Sequence, residues 1–504
     1  MKIFAGLIAS ISIMLAGCGG GGGGGNISQN SNLPVAKISI PSYAGVRTVI
    51  NLTAIDSKDP NGNALSYTWT ISKKPADSVA ILSSATSLSP TFTPDKPGNY
   101  EVTLIVNSSG GQSGTTNAAV TAIDFVSTSK ANFILNGKIF KVAGSNSSGI
   151  ANADTASIES AVLNMKALNF NVIRTWLYRD RGAIDGSVGD LGTEYASGGV
   201  KIWFQFWDSI NGKPIYNDSA LISTDKLIAL ANKNNIKLIM TLTNNWANFG
   251  GMDQYNIWYK SKYHDEFYSN SAIRKAYKDY INFVLNRVNT VTGVRYKDDP
   301  TIMAWELGNE PFCFTDSNPW RNYSFNPSPT CNANVITQWA QDISQYIKKI
   351  DENHMVSVGN IGFLNRSMIN EYSNAAGDDF EATLTLSSVD FGTFHTYIDN
   401  PDRPYTTDWG VQWIKDHVAI SSKIGKPIIM EEFGHSDVST RDVVFSKLIQ
   451  AFDKENGNGW LVWSMPVILQ NGYPLEGNDS YIIPYGSSTA SILAIFAKSK
   501  VQDN

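Results

Sequence analysis

The sequence predicts an α/β protein, a (β/α)8 barrel preceded by a smaller antiparallel β-sandwich. Three observations lead there. From Phe133 onward, eight short apolar runs alternate with amphipathic helical stretches, the pattern of repeated β/α units. Between Pro34 and Ala122 the apolar residues instead alternate with polar ones in short runs separated by turn residues, as in a sandwich. No Gly-rich phosphate loop follows the first apolar run of the larger part, which sets aside a doubly wound open sheet. A chain of 504 residues with 42% hydrophobic content sustains one large core and a second, smaller one.

At the N-terminus, Met1-Lys2 and the apolar run to Met14 are too short and too weakly flanked to span a membrane, and suit the core of a cleaved signal peptide. Leu15-Ala16-Gly17-Cys18 resembles a bacterial lipobox, so residues 1–17 are expected to be removed and Cys18 lipidated. That makes the protein an exported lipoprotein of the outer membrane or cell surface, because two or more acyl chains anchor stably. The alternative is an ordinary signal peptide with an incidental Cys. Gly19 through Gly25 and the polar residues to 33 read as a flexible tether. Only Cys313 and Cys331 then remain, and in an oxidising compartment they form either a disulfide or two buried free thiols.

The sandwich is expected over 34–123, with runs at Ala36-Ile40, Val49-Ala54, Leu65-Ile71, Thr91-Thr93, Asn99-Val106 and Ala118-Ala122. Its acidic turn, Asp56 to Asn63, either gathers oxygens for calcium or simply makes a turn. Ile123 to Asn132 is a linker, and the barrel is expected over 133–500. Its strand candidates are Ile139-Ala143, Val172-Trp176, Ile236-Leu242, Ile302-Trp305, Val356-Val358, Phe391-Phe394, Ile428-Met430 and Trp460-Trp463. Helical runs lie between them at Thr224-Lys233, Ile273-Val288, Ile336-Ile350 and Val411-Ile424.

Reactive side chains of such a barrel sit where strands end. Arg174, the run Asn244-Asn245-Trp246, Asn309-Glu310, His395 with Tyr397, Glu432 and Trp463 all fall at predicted strand ends. A lone acidic residue there caps a helix or faces solvent. Two Glu at opposite strand ends, with Arg, His and Tyr nearby, suit glycoside cleavage, in which one carboxyl protonates the leaving oxygen and another attacks or activates water. The expectation is a Glu310 raised in pKa by burial beside Glu432, and a Glu432 kept ionised by Arg174 and the Tyr397 hydroxyl.

These motifs carry a resemblance. Trp305-Glu306-Leu307-Gly308-Asn309-Glu310-Pro311 and Glu431-Glu432-Phe433-Gly434 resemble the acid/base and nucleophile motifs of glycoside hydrolase family 5. Val172-Ile173-Arg174-Thr175-Trp176, Asn244-Asn245-Trp246 with Gly250-Gly251, and Phe394-His395-Thr396-Tyr397 narrow it to the endo-β-1,4-mannanase branch. The resemblance implies a retaining hydrolase of β-mannan with Glu310 as acid/base and Glu432 as nucleophile. Arg174, Trp176, Asn245, Trp246, Asn309, His395, Tyr397 and Trp463 would form the substrate site, Trp463 as a stacking platform and Arg174, His395 and Tyr397 supporting the nucleophile. Glu431 is expected on the other face of its strand by alternation. In two places the chain departs from the pattern: Phe312 stands where Arg is usual, and the first strand leads into Gly144-Ser145-Asn146-Ser147-Ser148 without aromatic residues. The N-terminal part, through Asp56 to Asn63 and Pro94 to Tyr100, resembles a polycystic-kidney-disease-type domain of the immunoglobulin-like class.

A net charge of −5 without basic blocks excludes a nucleic-acid partner and fits a neutral substrate. Neither a metal nor a cofactor is expected, and the protein is read as a monomer. Cellulose as substrate on the same machinery, or a non-hydrolytic carbohydrate-binding barrel, are the competing readings.

Overall fold

The structure is a computed structural model that describes residues 33–191, 203–314, 325–367, 370–400, 403–475, 477 and 479–501. The leader, Cys18 and nearly all of the tether lie outside the described residues. No helix among them is long and apolar enough to cross a membrane.

The N-terminal unit is a four-stranded sheet in the order Tyr43–Gly45, Ser113–Ile123, Gly98–Ser108 and Leu65–Lys73, faced by the short pair Ile50–Asn51 and Thr91–Phe92. Strict alternation along Gly98–Ser108 buries Tyr100, Val102, Leu104 and Val106 against Trp69, Leu52 and Phe92. In the acidic turn the Asp59 carboxylate accepts from Asn61 N at 2.7 Å and Asn63 Nδ2 at 3.4 Å, the turn-making arrangement.

The larger unit holds eight parallel strands: β1 (Val142–Asn146), β2 (Val172–Trp176), β3 (Lys237–Thr241), β4 (Ile302–Glu306), β5 (Met355–Ser357), β6 (Gly392–Tyr397), β7 (Ile428–Gly434) and β8 (Gly459–Val462). Their order, β5-β4-β3-β2-β1-β8-β7-β6, is a nearly closed barrel. Across the seam between β5 and β6, Asp390 N donates to Val356 O (2.8 Å), Val356 N to the Asp390 carboxylate (2.6 Å) and His395 N to Ile361 O (2.9 Å). Helices cover the outside. Ala333–Ile350, for example, starts at Asn332, whose side chain accepts from Asn334 N and Val335 N, and buries Ile336, Trp339, Ala340, Ile343 and Ile347, one face at helical spacing.

The first apolar run differs from the sequence expectation. It breaks at Lys141: Lys138–Phe140 pairs antiparallel with Asn132–Leu135, and only from Val142 does the chain enter the barrel. Two abutting apolar strands of the same period leave no mark of their junction. The small sheet they begin plugs the N-terminal end of the barrel, where Val126, Phe133 and Phe140 join Val142, Val172, Ile239, Ala304, Met355, Ile429 and Leu461 in one cluster. The sandwich is seated on this same end. Tyr43 OH donates to Asp299 Oδ2 at 2.6 Å, just before β4, and the Phe125 ring meets the edge of His354, just before β5, at 5.0 Å. Glycine is required at position 45, because a Cβ there would lie 2.3 Å from the Phe125 ring.

Candidate active site

At the other end of the barrel the interior turns polar. Alternation carries Val172 into the barrel, and with it Arg174 and Trp176; on β6 it carries Thr393, His395 and Tyr397; on β4 Ala304, Glu306 and then Glu310. Glu310 sits at φ 51°, a left-handed conformation costly for a non-glycine residue and found where function fixes the backbone.

Glu431 and Glu432 depart from the expectation. From Ile429 inside, alternation puts Glu431 inside as well, not on the far face. Pairing shifts register between Phe394 and His395 on one side and between Met430 and Phe433 on the other, and this bulge turns Glu432 inward too. Both carboxylates therefore approach Arg174, at 3.6 Å for Glu431 and 2.6 Å for Glu432.

Arg174 is fully buried and its donors are consumed within the protein. Nη1 meets Glu432 Oε1 (2.6 Å) and Asn146 Oδ1 (2.9 Å), while Nη2 meets Glu306 Oε1 (2.6 Å) and Asn309 Oδ1 (2.8 Å). It therefore positions the carboxylates and offers no surface to a ligand. Tyr397 OH donates to Glu432 Oε2 at 2.7 Å. His395 Nδ1 lies 2.6 Å from Glu310 Oε1, and Trp246 Nε1 donates to Glu310 Oε2. Oxygens of Glu310 and Glu432 and a nitrogen of His395 all lie within 4.8 Å of one another. That trio has the spacing of metal ligands, but His395 Nδ1 is already engaged by Glu310 and Glu432 by Arg174.

The protonation pattern is not the one expected. Burial alone would lift Glu310, but the His395 charge and the hydrogen bonds from His395 and Trp246 outweigh it and hold the carboxyl below its usual value. Burial lifts Glu432 above its usual value despite His395 and Arg174. Burial opposes charge on His395 too, yet Glu432 and Glu310 push it up to about 10. The two shifts favour the imidazole over the Glu310 carboxyl as the holder of the proton between them. Glu306, pushed up to about 8 by burial, is a neutral partner of Arg174 at neutral pH. Glu306 was not singled out in the sequence, although its place two and four residues before Gly308 and Glu310 on one face carried the signal.

The catalytic-looking pair lines one of two neighbouring hollows, which share Trp246, Ile361 and Tyr397. One, of about 1190 Å3, is lined by Gly149, Trp176, Arg179, Asn244, Phe249 and Trp463 among others, together with Glu310 and Glu432. Trp463 Nε1 is held by Asp479 Oδ2 at 2.8 Å, and the Trp176 and Trp463 rings lie 5.9 Å apart. The other, of about 320 Å3, is aromatic, walled by Trp246, Phe312, Phe363, Tyr405, Trp409 and Trp413. Phe312 packs edge-on to Phe363 at 5.1 Å.

Asn245 requires a correction. It is fully buried, accepts from Phe312 N (3.1 Å), lies 2.8 Å from His264 Nε2 and donates to Phe314 O (2.8 Å). It pins the loop after β4 and does not face the cleft. Its neighbour Asn244 lines the cleft instead, accepting from Asn309 Nδ2 at 3.0 Å. The β4 loop is further fixed by the Cys313–Cys331 disulfide, with Cα atoms 5.8 Å apart.

Comparison with known proteins agrees with this geometry. A family model described as GH family 5 beta-mannosidase-like matches residues 123–456, and a PKD domain model matches 31–123. The chain is 36% identical over 361 residues to the probable mannan endo-1,4-β-mannosidase C of Aspergillus terreus, covering 71% of this chain and 84% of that one. It is 31% identical over 407 residues to the putative mannan endo-1,4-β-mannosidase 4 of Arabidopsis thaliana, covering 74% and 90%. Among solved structures, the endo-1,4-β-mannanase from Rhizomucor miehei superposes with a TM-score of 0.66 at 37% identity, over 75% of this chain and 99% of that one.

Proposed function

The chain belongs to glycoside hydrolase family 5, in its β-mannosidase-like group, and from that membership we propose that it cleaves internal β-1,4-mannosidic bonds of mannan, glucomannan or galactomannan with retention of configuration. The observation that carries the chemistry is the pair of carboxylates whose oxygens lie within 4.8 Å across the cleft. Retaining enzymes hold their carboxyl groups about 5 to 5.5 Å apart, leaving no room for a water opposite the acid. The mannan assignment is supported by the relatives named as mannan endo-1,4-β-mannosidases.

Glu310 protonates the leaving oxygen. Its proton comes from His395, passing from Nδ1 to Oε1 along their 2.6 Å hydrogen bond and leaving a neutral imidazole and a neutral acid. The same transfer removes the negative charge of Glu310, which opposes ionisation of Glu432, and Glu432 remains the ionised partner of Arg174 and Tyr397. It attacks the anomeric carbon as the glycosidic bond breaks. Glu310, now a carboxylate, then deprotonates the water that releases the sugar from Glu432. Trp463 lies beneath the reacting ring, with Asn309 near its 2-hydroxyl.

Incubation with mannan, glucomannan and cellulose, with sizing of products and NMR of the first anomer formed, tests this. Faster cleavage of cellulose overturns the substrate, and an inverted first product overturns the mechanism. Glu310→Gln and Glu432→Gln should each remove nearly all turnover. The same reading keeps the enzyme on a membrane through lipid at Cys18, supported by the Leu15-Ala16-Gly17-Cys18 run and the glycine tether behind it. Cys18→Ser should then move the protein from the membrane to the soluble fraction.

A further inference from the structure

Arg179, which the sequence reading passed over, lies on the wall of the larger hollow, in the part bounded by Trp176 and Phe249. Its backbone is held from several sides: Phe204 N and Gln205 N both donate to its carbonyl, at 2.9 and 3.2 Å. The neighbouring loop is pressed against the next residue, with Asp180 N donating to Phe249 O at 2.8 Å and no room for a Cβ at Gly250, which would stand 2.4 Å from Asp180 O. Phe249 itself sits at φ 59°, a strained conformation for an aromatic residue. That strain sets its ring under Arg179, with the guanidinium carbon 4.2 Å from the ring centre.

Apart from the Phe249 ring, the guanidinium has no hydrogen-bond or ion-pair partner among the described residues. Arg179 is 6% exposed, makes no ion pair among the described residues, and its Nε has no hydrogen-bond acceptor. Asp180, next in the chain, turns to Gln205 Nε2 at 2.6 Å and is held neutral by burial. Burial pushes Arg179 down to about 10, so it remains charged at neutral pH. A buried, charged donor set without acceptors is costly unless a ligand supplies them. The contrast with Arg174 is direct, since that side chain spends its donors on protein oxygens.

We propose that Arg179, seated on Phe249, is a sugar-binding residue on the retained side of the cleft, donating to a pair of adjacent hydroxyl oxygens on a mannosyl unit beyond the one stacked on Trp463. A planar guanidinium suits two neighbouring oxygens held at fixed spacing, and a pyranose presents such pairs on adjacent carbons. Arg179 lines the same hollow as Trp463, Trp176 and both carboxylates and is not among the residues that wall the aromatic hollow holding Phe312. Arg179 acts on binding and register and takes no part in bond cleavage. The inference rests on the mannanase reading given above.

The test uses the full protein and mannopentaose labelled at its reducing end. Arg179→Met keeps the apolar stem, and Arg179→Lys keeps stem and charge but loses the planar fork. Arg179→Met should lower kcat/KM by roughly tenfold or more through KM, with kcat on saturating mannan little changed. Cleavage should move toward the non-reducing end, giving longer labelled products, because the substrate no longer gains from filling the retained side. Arg179→Lys should shift products in the same direction by less, and a melting curve identifies which variants are folded. Wild-type cleavage positions in a folded variant, or a fall in kcat with KM unchanged, would overturn the assignment. If the wild-type protein leaves mannan intact, the mannanase reading falls; if it cuts mannan and the Arg179 variants cut at the same positions, only this inference does.

Discussion

Phe312, two residues past Glu310, closes one side of the aromatic hollow with Trp246 and Phe363. An arginine there would donate to a leaving-side sugar, whereas the phenyl ring only stacks and excludes water. Phe312→Arg should change product lengths and transfer to sugar acceptors more than turnover on long mannan, because one or two hydrogen bonds amount to about 1–3 kcal/mol, far less than the carboxylates contribute to the barrier. Product profiles at equal conversion check it. A second residue-scale outcome concerns Asp180, fully buried and pushed up to about 8 by burial. The folded protein then holds a proton that the unfolded chain releases near its ordinary value of 3.8. The contribution of Asp180 to stability is therefore full below that lower value and is lost as pH rises to about 8, by up to about 1.4 kcal/mol per unit. Asp180→Asn mimics the protonated form and should remove that decline, so denaturant unfolding across this range should show the variant gaining on the wild type as pH rises.

Among the elements, the start of the loop after β4 is held by Asn245 from one side and by the Cys313–Cys331 bond from the other. Replacing both cysteines with serine should lower unfolding free energy by about 2–4 kcal/mol, and denaturant titration of oxidised and substituted proteins measures it. The elements also show how far a sequence can be read. Strand β2 matches its expected span of Val172 to Trp176, and the strand ends brought Arg174, Glu310, His395, Tyr397 and Glu432 into one cluster as their alternation required. Where alternation was broken, reading failed. The bulge in β7 is a pairing event between strands distant in sequence, so Glu431 was placed on the wrong face. Asn244 and Asn245 are identical in type, and only the three-dimensional course of their loop decides which meets the cleft. The lowering of Glu310 and the raising of His395 follow in part from a 2.6 Å contact across β4 and β6 that no local pattern encodes.

At the scale of the whole molecule, the sandwich and the barrel meet through a buried polar contact as well as apolar packing. Tyr43 OH is one of the donors to Asp299, whose carboxyl burial lifts above its usual value. Tyr43→Phe should cost about 1–3 kcal/mol by leaving that carboxyl short of a partner, read as a lowered calorimetric transition, with mannan turnover at moderate temperature unchanged. The seat also has a geometric consequence. Because the sandwich grips the plugged end of the barrel, its contacts through Tyr43 and Phe125 and the carboxylate cluster lie at opposite poles of the barrel. A polymer strand lying across the open pole therefore need not pass the sandwich at all.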